Sequence, residues 1–397
     1  MYIKRTIEET IKKASNNFSV VMITGPRQVG KTTVLQNCDP DRKYVSLDNM
    51  SDRKMAIEDP DLFLQKYEPP VLIDEVQYAP NLFSSIKLKV DQEKKKGMYW
   101  LTGSQQFHLM NGVSESLAGR IAILKLNGFS QQERFGISLE NVFLDTDIAL
   151  RQQPLKINVM DLYKVIWRGS YPALTCTDDA DWEMFYDSYI QSYIERDVRD
   201  LGSISNELTF LKFIRAVAAR TGQLLNYSDI SKDVGVSSPT IKSWLSILQT
   251  SGIIYLLEPY YANLTNRMTK MPKIYFLDTG LACYLTNWQT YQTLESGAMN
   301  GAIFETYVVS EILKSFWFLG KRAPLFFYRD KDQREIDLLI ENNGQLIPIE
   351  IKKKTAPDKT DIKNFAVLNY EKGFVVCLSS DYSFITEKVK SISIGFL

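Results

Sequence analysis

Histidine is almost missing from this sequence, His108 being its one instance. Metal sites built on two histidines are therefore excluded, and most catalytic triads would have to use that single side chain, which reads more simply as an ordinary loop residue. Cysteine is scarce too. Cys38, Cys176, Cys283 and Cys377 lie far apart with no Cys-x-x-Cys pair, the pattern of free thiols in a reducing compartment rather than of a disulfide framework or a structural zinc site. Nowhere is there an apolar run of the roughly eighteen residues that a membrane helix requires. Met1–Thr10 carries Lys4, Arg5, Glu8 and Glu9 where a secretory signal would be apolar. A cytoplasmic protein with no membrane partner is expected. Neither sign of charge predominates, since Lys+Arg and Asp+Glu each total 47, so any nucleic-acid surface must be local. What is present is the balance of a soluble folded chain: 397 residues, 45% hydrophobic and 24% charged, enough for two or three domains at roughly 150 residues each.

The first concentrated chemistry follows the apolar, β-branched run Phe18–Ile23 and Thr24. There the chain reads Gly25-Pro26-Arg27-Gln28-Val29-Gly30-Lys31-Thr32-Thr33, a GxxxxGK[ST] loop between a strand and a helix expected over about Lys31–Asn37. Glycines at both ends let the loop turn back so that successive N–H groups face phosphate oxygens. Lys31 is placed to reach the β/γ-phosphates and Thr32 to hold Mg²⁺, and the helix aims its positive end at the same group. A buried strand, Pro70-Val-Leu-Ile, then ends in Asp74-Glu75. Asp74 is the candidate for the Mg²⁺ shell and Glu75 for polarising the attacking water. The next strand, Met98–Thr102, runs into Gly103-Ser104-Gln105 at the sheet edge where open α/β folds bind ligands; Ser104 or Gln105 is placed to sense the γ-phosphate. Arg120, just before the strand Ile121–Leu126, is a candidate to reach a phosphate in its own subunit or a neighbour's, with a surface salt bridge as the competing reading.

GPRQVGKTT, VLIDEVQ, LTGSQQ and SLAGR in this order resemble the prokaryotic AAA-type P-loop ATPases that carry a C-terminal domain of unknown function. The resemblance continues through Gly169-Ser-Tyr-Pro-Ala173, Tyr193-Ile-Glu-Arg-Asp-Val198 and Lys273–Leu281. It implies ATP binding and hydrolysis, and names no further substrate. Glu195, Arg196 and Asp197 fall in a shared motif on a helix expected over Trp182–Leu201, and a solvated, salt-bridged face accounts for them without a chemical role.

Tyr227–Leu257 has the grammar of a winged helix: a short helix Ser228–Val234, a Gly235-Val236-Ser237 turn, a helix with Pro239 near its start running to about Leu248, and a strand Ile253–Glu258 after Gly252. The second helix would expose Ser238, Thr240, Lys242 and Ser243, with only Lys242 charged, which leaves DNA contact and a structural or protein-contact role both open.

Glu335–Lys352 reads as a hairpin about an Asn343-Gly344 turn. A two-residue turn there opposes Asp337 with Glu350, Ile336 with Ile351, Leu338 with Ile349 and Ile340 with Ile347. One face is then apolar, and the other carries Glu335, Asp337, Glu350 and Lys352. Facing carboxylates can share one hard cation. Asp, then Glu-x-Lys, on a hairpin resembles the restriction-endonuclease-like fold with its PD-(D/E)xK signature, although Ile336 stands where that signature has proline. The resemblance implies that Asp337 and Glu350 hold Mg²⁺, that Lys352 helps to activate water, and that Glu305, in Gly301-Ala-Ile-Phe-Glu305, supplies the acidic helix position. A helix over Asp361–Leu368 and a strand over Gly373–Cys377 are expected downstream. A hairpin with a solvated charged face, extended by Lys353 and Lys354, is the competing reading.

The expected architecture is α/β: an AAA-type P-loop NTPase parallel sheet (1–140), a helical connector (141–205), a winged-helix domain (206–290) and a restriction-endonuclease-like domain (291–397). The expected activity is hydrolysis of ATP to ADP and phosphate with Mg²⁺. DNA is a candidate partner, and a homo-oligomer is the state in which Arg120 would serve a neighbour. A nucleotide-regulated, metal-dependent DNA nuclease and a nucleotide-switched binding module without catalysis stay open.

Overall fold

The computed structural model describes residues 2–103, 116–137, 153–193, 207–261 and 271–397. Its first sheet is five-stranded and parallel: β1 (Val20–Thr24), β2 (Lys43–Ser46), β3 (Val71–Asp74), β4 (Tyr99–Thr102) and β5 (Ile121–Lys125), in the order β2-β3-β4-β1-β5. Every residue of β1, β3 and β4 is buried, as a parallel sheet covered on both faces requires. Alternation then sorts the side chains. Val21 and Ile23 enter one core and Val20 and Met22 the other. Helix α1 (Ile7–Asn17) adds Ile7, Ile11 and Ala14 to the first core, one stripe at helical spacing. Helix α2 (Lys31–Cys38) follows the glycine loop.

The central region is helical, with α3 (Val159–Arg168), α4 (Trp182–Tyr193) and α5 (Glu207–Ala218). Glu195, Arg196 and Asp197 lie outside the described residues. Helices α6 (Tyr227–Val234) and α7 (Ser238–Thr250) then precede β7 (Ile254–Leu257), which pairs antiparallel with β8 (Lys273–Phe276); β6 (Gln223–Leu224) completes the sheet in the order β6-β8-β7. Gly235, at φ 83°, ends α6, and the Ser237 hydroxyl caps α7 by accepting from the Thr240 N–H. Two motifs of the family resemblance meet here in a buried knot. The Asp278 carboxylate accepts from the N–H and hydroxyl of Ser170, each at 2.7 Å, from Tyr186 Oη at 2.7 Å and from the Leu281 N–H at 2.8 Å. Gly169 sits at φ 82°, and a Cβ there would lie 2.1 Å from the Tyr186 hydroxyl. These motifs hold the connector against the β8 exit.

Helix α8 (Asn300–Phe318) is buried on nearly every side, the condition of a helix inside a core rather than on a surface. After it comes a mixed six-stranded sheet, β9 (Leu325–Arg329), β10 (Glu335–Asn342), β11 (Gln345–Ile351), β12 (Gly373–Cys377), β13 (Ser383–Phe384) and β14 (Val389–Ser393), in the order β13-β14-β12-β11-β10-β9. The hairpin register is the expected one, from Leu338–Ile349 to Asn342–Gln345. Asn343 and Gly344 both have positive φ, 51° and 79°, the backbone of the turn that suits a twisted hairpin.

Two expectations need correction. Ile336 does not share the face of Leu338: it joins Leu339, Val375 and Phe365, while Leu338 and Ile340 join the main core. The cause is a register shift against β9 between Ile336 and Leu339, a bulge that turns one residue out of alternation. The expected helix over 361–368 is only a 3₁₀ turn, Lys363–Val367, which buries Phe365.

Candidate functional site

Beyond Thr24 the chain reverses through Gly25 (φ 150°), Gln28 (φ 61°) and Gly30 (φ 86°). A Cβ on Gly25 would stand 1.9 Å from the Leu126 carbonyl oxygen, so that position admits only glycine. Lys31 is buried, and its Nζ donates to the carbonyls of Gly25 at 3.1 Å and Pro26 at 2.8 Å. The loop's cation thus spans the mouth of its own loop. Pro26 lies under the end of α7, where a Cβ on Gly252 would come within 3.0 Å of its ring. Val29 is buried; Arg27 and Thr33 complete the loop and the first turn of α2.

Strand β4 lies between β1 and β3, which places its last residue, Thr102, between the loop and Asp74. The Thr32 hydroxyl donates to Asp74 Oδ1 at 2.9 Å, Tyr44 Oη donates to Oδ2 at 3.1 Å, and Thr102 Oγ1 also donates to Oδ1. Glu75 leaves the strand in the left-handed region, φ 56°, with its N–H 3.4 Å from Thr102 Oγ1 and its carboxylate accepting from Gln77 Nε2. A non-glycine residue held there is strained backbone at the end of a buried strand. Lys31, Thr32, Asp74 and Glu75 therefore gather at one edge of the sheet.

Arg120 does not join them. It sits at the other end of β5, where its carbonyl accepts from the Val20 N–H at 3.1 Å, and five residues of strand at about 3.3 Å each separate it from the loop. Its guanidinium grips Asp91 in bidentate fashion, at 2.5 and 2.9 Å. The reading in which it reaches its own subunit's phosphate is corrected by that position. Ser104 and Gln105 lie outside the described residues, as does His108. Thr102 and Tyr44 were not foreseen; a hydroxyl closing the strand beside the P-loop strand is the signal that marks Thr102.

A second cluster forms where the hairpin meets α8 and β8. Lys352 Nζ lies 2.7 Å from Glu350 Oε1 and 3.7 Å from Asp337 Oδ2, so the two expected carboxylates bracket one ammonium. Asp337 Oδ2 also accepts from the Ile351 N–H at 2.9 Å, which a residue turned out by the bulge can do. Glu305 accepts from Lys273 Nζ at 3.1 Å and Tyr275 Oη at 2.6 Å, and Lys273 reaches Glu335 Oε1 at 2.6 Å. Burial, and after it the charge of Asp337, pushes Glu305 up to about 7 and Glu350 up to about 8. Burial pulls Lys273 down, yet Glu305, Asp337 and Glu335 outweigh it and hold that lysine above its ordinary value. Among the described residues, the buried Glu350 Oε2 finds no hydrogen-bond partner. Among the described residues no three His, Cys, Asp or Glu side chains form a ready metal cage; here lysines stand between the acids. Lys273 and Tyr275, from the central region, are site neighbours that the hairpin pattern alone could not reveal.

On α7 the residues left exposed include Lys242, Ser243, Ser246 and Gln249. Thr240 is engaged in the cap with the Ser237 hydroxyl, and Lys242 Nζ stands 5.2 Å from the centre of the Tyr227 ring.

The glycine loop, the buried strand ending in acid and the interposed β4 define an ATPase domain of the P-loop class. Residues 17–135 match the family model described as AAA domain; residues 159–292 and 300–397 match two domains of unknown function, DUF8612 and DUF4143. The chain is an N-terminal AAA-type ATPase domain followed by these two. It is similar to the uncharacterized proteins Mb2031c of Mycobacterium bovis and Rv2008c of Mycobacterium tuberculosis, each 27% identical over 358 residues, 89% of this chain and 75% of the relative. Among solved structures it is similar to the Walker-type ATPase PABY2304 of Pyrococcus abyssi, with a TM-score of 0.45 and 15% identity over 72% of this chain and 96% of that one. Among the described residues no helix is long and apolar enough to cross a membrane.

Proposed function

We propose that the chain binds ATP with Mg²⁺ at the Gly25–Thr33 loop and hydrolyses it to ADP and phosphate. The observation that carries this reading is the Thr32–Asp74 hydrogen bond of 2.9 Å, which joins the two oxygen donors suited to one hard cation. Bound there, Mg²⁺ would neutralise charge on the β- and γ-phosphates. The loop amides cradle the phosphates, Lys31 exchanges the carbonyls of Gly25 and Pro26 for phosphate oxygens, Tyr44 and Thr102 orient Asp74, and Glu75 accepts a proton from the attacking water. Arg120 acts, in this reading, only across a subunit contact. Mixing inactive Arg120→Ala with inactive Lys31→Ala chains is expected to restore turnover, and no recovery at any ratio would remove that role. The principal test is ATP turnover by the purified chain with Mg²⁺ or Mn²⁺, with and without single- or double-stranded DNA. Tight ATP binding with negligible turnover would support the switched binding module instead.

A second reading is favoured by the acidic cluster. Buried carboxylates with raised proton affinity and the orphaned Glu350 Oε2 fit a divalent cation held by Asp337 and Glu350 with Glu305 behind, and Lys352 is placed to activate water. Metal-dependent cutting of DNA that requires Asp337, Glu350 and Lys352 would establish it. The helix-strand-helix-helix-strand-strand order from α5 to β8 supports a winged helix, with α7 and Lys242 as its DNA-facing surface.

A further inference from the structure

Arg5 lies ahead of α1, outside the stretch matched to the AAA domain, and only 3% of it is exposed. Burying a guanidinium is costly unless its donors are taken up, and here they converge on the nucleotide loop and on the turn after β5. Nη1 donates to the Val29 carbonyl at 3.2 Å, and Nη2 donates to the carbonyls of Asn127 at 2.8 Å and Gly128 at 3.2 Å. Nε approaches Glu133 Oε2 at 3.1 Å without the alignment of a hydrogen bond. The guanidinium carbon lies 4.3 Å from the ring centre of Phe129 and 5.3 Å from that of Phe318, the last residue of α8.

Val29 immediately precedes Gly30 and Lys31. In a loop whose N–H groups must face phosphates, its carbonyls must face away and find donors elsewhere. Lys31 serves the carbonyls of Gly25 and Pro26 only until a phosphate claims it, whereas Arg5 approaches Val29 from the side away from the ligand. The other end of the loop is keyed to the same strip of chain, since Gly25 packs against the Leu126 carbonyl. We propose that Arg5 is a positioning residue for ATP binding, fixing the Val29 carbonyl to the Asn127–Gly128 turn so that the loop is shaped for phosphate before it arrives. The guanidinium serves three carbonyls from two nitrogens held apart in one plane, a spread that the single nitrogen of a lysine ammonium does not match.

This inference rests on the reading of the loop as an ATP site, and the test separates the two. Wild-type chain and Arg5→Lys are titrated with ATP and Mg²⁺ by calorimetry, which yields both affinity and the fraction of molecules that bind. The expected result is about ten-fold weaker affinity, the scale of one lost charge-assisted hydrogen bond. A merely structural role would lower the binding fraction and leave the affinity of the folded molecules alone. Affinity within two-fold of wild type would overturn the proposal. No binding by wild type would instead sink the ATP reading beneath it. Should Arg5→Lys not fold, Phe318→Leu removes one wall of the slot without touching the loop; about three-fold weaker binding is expected, and unchanged affinity counts against the proposal.

Discussion

The nucleotide loop and the acidic cluster are built in opposite ways. In the proposed ATP site the loop would take its ligand-facing atoms from one continuous stretch, Gly25–Thr33, most of them from the backbone. The cluster gathers side chains from β8, α8, β10 and β11, together with Lys352 just beyond, so its geometry depends on how several elements pack. They share one device. Each holds its decisive charge on an internal partner: Lys31 on two carbonyls, and the acids on Lys273 and Lys352. A site made of backbone needs only glycines and a strand-helix junction, whereas a site made of side chains inherits every irregularity of its sheet.

The sharpest way to test this division is Lys31→Ala, expected to lower ATP affinity by at least about 100-fold because the loop loses its ammonium while its glycines stay. Wild-type affinity in a calorimetric titration would remove the loop from the account. Glu75→Gln comes next. Turnover should fall by about 100-fold or more, within the range of a lost general base, with ATP affinity within about three-fold of wild type; unchanged turnover would place the base elsewhere. For the cluster, Asp337→Asn or Glu350→Gln should each weaken Mn²⁺ binding, read by electron paramagnetic resonance with nucleotide absent, by about ten-fold through loss of an anionic ligand. ATP turnover should stay within two-fold, and a parallel fall would erase the independence of the two sites.

The remaining test is of pH. Burial raises Glu305 to about 7 and Glu350 to about 8, and a carboxyl must give up its proton to hold a metal. Mn²⁺ affinity should therefore climb by at least about ten-fold from about pH 6 to pH 8 and level off only above about pH 9. An affinity flat across that window would mean that neither acid is a ligand.

The loop, its strand and the hairpin register were legible in the sequence because each depends on near neighbours: two glycines and a lysine, an acid pair ending an apolar run, an Asn-Gly turn. The bulge was not. Ile336, Asp337 and Leu338 alternate without a break, and the extra residue appears only against β9. Lys273 and Tyr275 stood inside a family motif with no chemical pattern around them, and reach Glu305 only because β8 packs on α8. Arg5 looked like one charge among several at a helix start, since no local pattern distinguishes a buried arginine from an exposed one.

Helix α8 gives the order of synthesis a consequence. The Gln131 N–H donates to the carboxylate of Glu311, 180 residues later, at 2.8 Å, and Lys314 Nζ donates to the Phe129 carbonyl at 2.8 Å. A chain emerging from the ribosome thus exposes its nucleotide loop well before the helix that closes the Arg5 slot exists. Contacts so distant in sequence form late. The side chains that complete the packing of the ATPase region, Glu311, Lys314 and Phe318, are therefore made only after the central region, which ties that packing to α8.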